Sequence, residues 1–120
     1  MTPLQTEKEI ANPNNVKVIV DAQDYALYFS RSPLPFVRDS QTDTITYKHK
    51  GIYAFRRQAI LDFASLPMQP LEAAEKIECI RFLEHGKKIK MVKSLNQAIG
   101  IDTAEDLEKA TALFKSKMNV

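Results

Sequence analysis

The stretch "TITYKHKGIYAF" (residues 44–55) puts lysines, a histidine, a glycine and three aromatic residues inside a strand-like run. Successive strand side chains point to opposite faces, so His49, Gly51, Tyr53 and Phe55 share one face and Lys48, Lys50, Ile52 and Ala54 the other. Strand spacing places the Cα atoms of His49 and Tyr53 roughly 13 Å apart. Two hydrogen-bonding side chains then flank a residue with none, a gap of about sugar size by the same spacing. A half-buried edge strand whose His and Tyr reach water explains the same pattern.

Four further groups have side chains suited to chemistry. Arg31 and Arg38 flank "SPLPF" on a proline-stiffened loop, where two guanidinium groups can grip a carboxylate or simply be surface charges. Glu72, Glu75 and Glu78 recur every three residues on a helical segment; a solvated face, with Glu72 paired to Lys76, is the plain expectation. Glu78 and Cys79 lie nearer the apolar stripe and are better placed to face a pocket, although a lone cysteine usually behaves as a small buried apolar residue. Asp102 ends an apolar run just before a helix. Asp102 or Thr103 can cap that helix, with Glu105 or Asp106 completing a capping box. Asp102 can equally present a carboxylate to Mg²⁺ at the carboxyl end of a strand.

The elements that must position these residues follow from periodicity and breakers. Residues 1–11 form a short helix or a loose arm, and "ANPNN" (11–15) a turn. "VKVIVD" (16–21) and "YALYFS" (25–30) read as strands of a hairpin across "AQD". Residues 31–43 form a long loop and 44–55 a third strand region. Residues 56–66 form a helix on Ile60, Phe63 and Leu66. Residues 70–86 read as one helix, opened by Pro70 and closed by Gly86, with a stripe of Leu71, Ala74, Ile77, Ile80 and Leu83. "KKIKMVKS" (87–94) alternates like a strand whose lysines blunt an edge. A final amphipathic helix spans 103–118. This order implies an α/β fold, a mixed sheet with helices packed on it.

Composition narrows the class. The 120 residues suit one domain, with 44% hydrophobic and 27% charged residues. A net charge of +2 gives little support to nucleic-acid binding, for which Lys87, Lys88, Lys90 and Lys93 are the only candidate patch. A single cysteine permits no internal disulfide and fits a reducing compartment. No run approaches the ~20 apolar residues needed to span a bilayer, and "MTPLQTEKEIANPNN" lacks the pattern of a signal peptide. Together these point to a cytoplasmic protein. With three glycines, neither a G-x-G-x-x-G turn nor a Walker loop is present.

"NPNNVKVIVDAQDYALYFSRSPLPF", "HKGIYAFR", "PLEAAEKIECIRFLEHG" and "IGIDTAEDLEKA", in that order, resemble the C-terminal half of the 3-deoxy-manno-octulosonate cytidylyltransferases, the CMP-Kdo synthetases. The resemblance implies half of a Rossmann-like nucleotide-diphospho-sugar transferase fold, with a mixed sheet and a β-hairpin dimerisation region. It implies transfer of CMP from CTP to Kdo, release of pyrophosphate, a need for Mg²⁺, a role in lipopolysaccharide synthesis, and a cytoplasmic homodimer with no nucleic-acid or membrane partner. By matching motif, Arg31 and Arg38 fall in the region that meets the acidic sugar. His49, Tyr53 and Glu78 bind sugar hydroxyls, and Asp102 is the catalytic metal ligand. Cys79 stands where the family commonly has glutamine, so the acidic sugar is Kdo or a relative. Residues 1–120 then form the sugar-binding and dimerisation half, with the N-terminal CTP-binding half absent and no activity expected of this chain alone. The alternative is a non-catalytic dimerisation or binding module.

Overall fold

In the computed structural model, residues 1–39, 42–95, 100–101 and 103–118 are described. The hairpin is its centre. β2 (Lys17–Val20) pairs antiparallel with β3 (Ala26–Ser30), Val18 opposite Phe29 and Lys17 opposite Ser30. The turn forms because the Asp21 carboxylate accepts from the backbone N–H of Gln23 at 2.9 Å and of Tyr25 at 2.8 Å. Asp24 takes a left-handed φ of 60° there. β1 (Thr2–Pro3) and β4 (Tyr47–Lys48) complete a sheet ordered β1-β4-β2-β3, every pairing antiparallel.

The core lies where the hairpin meets the helices. Val18, Phe29 and Ile80 are almost fully buried, with Ile77, Cys79 and Met91 around them. Lys17 is also fully buried. Its ammonium group donates to the carbonyls of Asn12 and Arg31, so its charge is solvated by the backbone on both sides of the hairpin.

Among the described residues the helices are α1 (Glu7–Ala11), α2 (Arg57–Ser65), α3 (Pro70–Glu75), α4 (Ile80–Glu84) and α5 (Ala104–Lys117). Both α1 and α5 open with a reciprocal capping box, Thr6 with Glu9 and Thr103 with Asp106. The cap of α5 is therefore provided by Thr103.

Three expectations are corrected. Residues 70–86 are not one helix: Lys76 adopts φ 54° and ends α3, and the chain doubles back into α4. The break lets the Glu84 carboxylate accept from the N–H groups of Leu71 at 2.9 Å and Glu72 at 3.0 Å. On a straight helix residues 71 and 84 would be about 20 Å apart. It also buries Glu72 against Arg81, at 2.6 and 2.7 Å, rather than leaving it solvated beside Lys76.

Residues 87–94 do not form a strand. Their hydrogen bonds are divided: Ile89 and Met91 bond to the hairpin turn, Lys90 bridges Tyr25, and the Ser94 N–H reaches the Met1 carbonyl at 2.8 Å. Lys88 and Lys90 lie over the Tyr25 ring at 5.4 and 4.9 Å instead of simply edging a sheet. Finally, the third strand is only Tyr47–Lys48. The His49 N–H makes one more bond, to Val16 at 2.8 Å, before the chain turns tightly at Gly51, with Ile52 N–H on the Lys50 carbonyl at 2.8 Å.

Candidate functional site

That turn decides the site's geometry. The strand reading separated His49 from Tyr53 by a sugar-sized gap, but the two rings touch, with centroids 5.3 Å apart. Leaving the sheet at Gly51 swings Tyr53 and Phe55 toward α4. Tyr53 stacks on Phe55 and Phe55 on Phe82, each at 5.7 Å. The ligand space lies beside the turn instead. A cleft of ≈650 Å³ is lined by, among others, Arg31, Lys48, His49, Lys50, Gly51 and Thr103. None of the described residues lining it is acidic. A Cβ built on Gly51 would meet no heavy atom within 4 Å, so nothing in the fold requires glycine by crowding there.

His49 sits at the junction of cleft and core, edge-on to Phe29 at 5.1 Å. Its Nε2 is buried and has no partner among the described residues. Burial, helped by the nearby Met1 amino group, lowers its pKa from 6.5 to about 4, so the ring is neutral at pH 7. The Tyr53 hydroxyl pairs with the Cys79 thiol, and burial first, then that pairing, pushes the phenol far up. Burial also raises the pKa of the Cys79 thiol. Cys79 is thus a protonated, buried partner of Tyr53 rather than a nucleophile.

Arg31 is anchored by its surroundings. Its Nε donates to the Glu75 carbonyl at 2.8 Å, Nη1 to Pro13 at 3.1 Å and Nη2 to Lys76 at 3.3 Å. Arg31, His49 and Gly51 therefore meet at one cleft, and Tyr53 and Cys79 adjoin it through His49. Glu78 is exposed beside Cys79, and Arg38 is exposed on its loop; neither lines this cleft. Asp102 lies outside the described residues, although its neighbour Thr103 lines the cleft.

Sequence reasoning missed Lys48 and Lys50 as cleft residues, because strand alternation assigned them to the opposite face from His49. The lysine at the first position of β2, in an otherwise apolar run, was the available signal for the buried Lys17 network. Among the described residues no group of three His, Cys, Asp or Glu side chains could hold a metal ion. No helix among them is long and apolar enough to cross a membrane.

The sequence model of one family, Cytidylyltransferase, matches residues 1–89. The chain belongs to the cytidylyltransferase family. This cytidylyltransferase chain is 62% identical over 113 residues to a 3-deoxy-manno-octulosonate cytidylyltransferase of Christiangramia forsetii, covering 94% of this chain and 46% of that protein. It is 56% identical over 115 residues to the protein of the same name from Flavobacterium johnsoniae, covering 96% and 47%. A solved structure of a CMP:2-keto-3-deoxy-manno-octonic acid synthetase complexed with CTP superposes with a TM-score of 0.86 at 36% identity, over 97% of this chain and 47% of that one. The chain spans about half the length of the curated relatives it matches.

Proposed function

We propose that this chain supplies the acidic-sugar side of an enzyme that transfers CMP from CTP to 3-deoxy-manno-octulosonate, releasing pyrophosphate. The observation that carries the reading is the cleft: Arg31, Lys48 and Lys50 line a cavity of ≈650 Å³ without an acidic residue among its described walls. A sugar acid offers such a site a carboxylate for the cations and hydroxyls for neutral groups. His49, uncharged at pH 7, is a hydrogen-bonding group there rather than a general acid. Tyr53 remains a protonated donor in reserve, with Cys79 behind it and Glu78 next in the chain. The acceleration then comes from fixing the sugar's anomeric hydroxyl in line with the α-phosphate and from charge stabilisation.

In this reading residues 1–120 are the C-terminal half, and the complementary half holds CTP. Asp102 is the carboxylate proposed for Mg²⁺, an ion that commonly binds through one or two carboxylates plus substrate phosphates. When bound, the ion neutralises phosphate charge. A cytoplasmic homodimer serving lipopolysaccharide synthesis belongs to the same proposal.

Calorimetry of the chain with 3-deoxy-manno-octulosonate and with its methyl ester tests the reading. Binding of the free acid that is lost with the ester, and weakened by Arg31→Gln, is expected. Equal binding of acid and ester would contradict it. A second reading, an assembly module, is favoured by the exposure of Leu27 on the outer strand β3, at 58%, and of Ile52 beside the cleft, at 85%. Its signature is dimerisation by light scattering with no heat from either sugar.

A further inference from the structure

We infer that Glu75 is a positioning residue that presents Arg31 to the cleft; this rests on the reading that Arg31 meets the sugar carboxylate. Glu75 is the last residue of α3, and both ends of it act on the end of β3. Its carboxylate accepts from the Ser30 hydroxyl at 2.5 Å and from the Arg31 backbone N–H at 2.9 Å. The Tyr28 hydroxyl pairs with the same carboxylate. Its carbonyl accepts from Arg31 Nε at 2.8 Å. The left-handed turn at Lys76 directs the next carbonyl to Arg31 Nη2, at 3.3 Å. From the opposite side, the ammonium of the buried Lys17 donates to the Arg31 carbonyl.

Arg31 is thus fixed at its backbone N–H, its carbonyl and all three guanidinium nitrogens. A guanidinium group carries five N–H donors. The three bonds to carbonyls leave one further N–H on each terminal nitrogen, available to an anionic oxygen. The break in the helical segment at Lys76 therefore has a purpose beyond packing. A continuous helix would keep the carbonyls of Glu75 and Lys76 for its own ladder.

The charge of Glu75 gives the test a sign. It is a negative group close to a cleft proposed to take an anion. Loss of its charge alone would strengthen anion binding, whereas loss of positioning would weaken it.

Glu75→Gln, Arg31→Gln and the unaltered chain are each titrated with 3-deoxy-manno-octulosonate, and exchange of the Arg31 Nε–H is followed by nitrogen-15 NMR. The inference expects Glu75→Gln to weaken the sugar roughly tenfold or more, the ratio set by a lost charge-assisted bond. It also expects Arg31 Nε–H exchange to accelerate about tenfold or more on the same basis. Unchanged or tighter sugar binding in Glu75→Gln, where Arg31→Gln weakens it, would overturn the inference. If Arg31→Gln leaves sugar binding unaltered, the substrate reading of Arg31 fails, and the exchange rate alone decides the role of Glu75: unchanged exchange refutes it. Should Glu75→Gln not fold, Ser30→Ala removes one anchor of the carboxylate and keeps its charge. Faster Arg31 Nε–H exchange in that variant supports the inference, and no change overturns it.

Discussion

His49 makes the stability of the chain depend on pH in a way that one substitution removes. Its pKa falls from 6.5 to about 4 in the folded chain because burial disfavours the imidazolium. Above pH 6.5 the ring is neutral in both states and imposes no penalty. Below that value the unfolded chain takes up a proton that the folded chain refuses, so stability is lost as pH falls from 6.5 toward 4. The two values give a loss of about 2 kcal/mol at pH 5 and about 3 kcal/mol at pH 4.

His49→Phe keeps a ring against Phe29 and has nothing to titrate. Urea unfolding of both chains at pH 7 and pH 5 isolates the effect, since every other group cancels in the difference. The stability difference between the chains should move by about 2 kcal/mol between those pH values, equivalent to a relative midpoint shift on the order of 1 M urea. A difference constant to within about 0.5 kcal/mol would refute the argument that burial keeps His49 neutral, for which about 2 kcal/mol is required.

Glu72→Gln should destabilise by roughly 2 kcal/mol in urea unfolding, below the range for a wholly buried pair because Arg81 keeps some contact with water. The Arg81 hydrogen bonds lower the Glu72 pKa, so this contribution is present above the usual carboxylate range and lost as pH falls through the folded value; the variant should show less acid sensitivity. Gly51→Ala should leave stability within about 0.5 kcal/mol, since no atom opposes the new methyl group, yet weaken sugar binding by filling ligand space. Asp102→Ala in the whole enzyme should abolish pyrophosphate release, and near-normal turnover would remove Asp102 from the proposed metal site. This chain alone, given CTP and 3-deoxy-manno-octulosonate, should release no pyrophosphate in a coupled assay.

Local rules were most informative where one element satisfies its own hydrogen bonds. The β2–β3 hairpin, α2 and a capping box at the start of α5 follow from residue type and spacing, whereas the choice of Thr103 with Asp106 as its partners does not. They failed where distant partners decide. The apolar stripe of residues 70–86 fits a helix, but the chain breaks at Lys76 so that Glu84 can cap α3 and Arg81 can meet Glu72. No periodicity encodes that choice.

The candidate site shows the same division. Arg31, His49 and Gly51 were legible and meet at one cleft, whereas the strand geometry drawn through His49 and Tyr53 was wrong. The chain leaves the sheet by Gly51, and the rings of Tyr53, Phe55 and Phe82 stack on one another instead of lining an edge strand. The Glu72, Glu75 and Glu78 spacing was visible, but nothing in it pointed Glu75 to Ser30 and Arg31, which lie more than forty residues earlier.

Chemical-shift mapping of the nitrogen-15-labelled chain during titration with 3-deoxy-manno-octulosonate tests the cleft most directly. Saturable shifts centred on Arg31, Lys48, His49 and Gly51 are expected, absent when the sugar's carboxylate is esterified. Shifts centred elsewhere, or the same shifts with the ester, would contradict it.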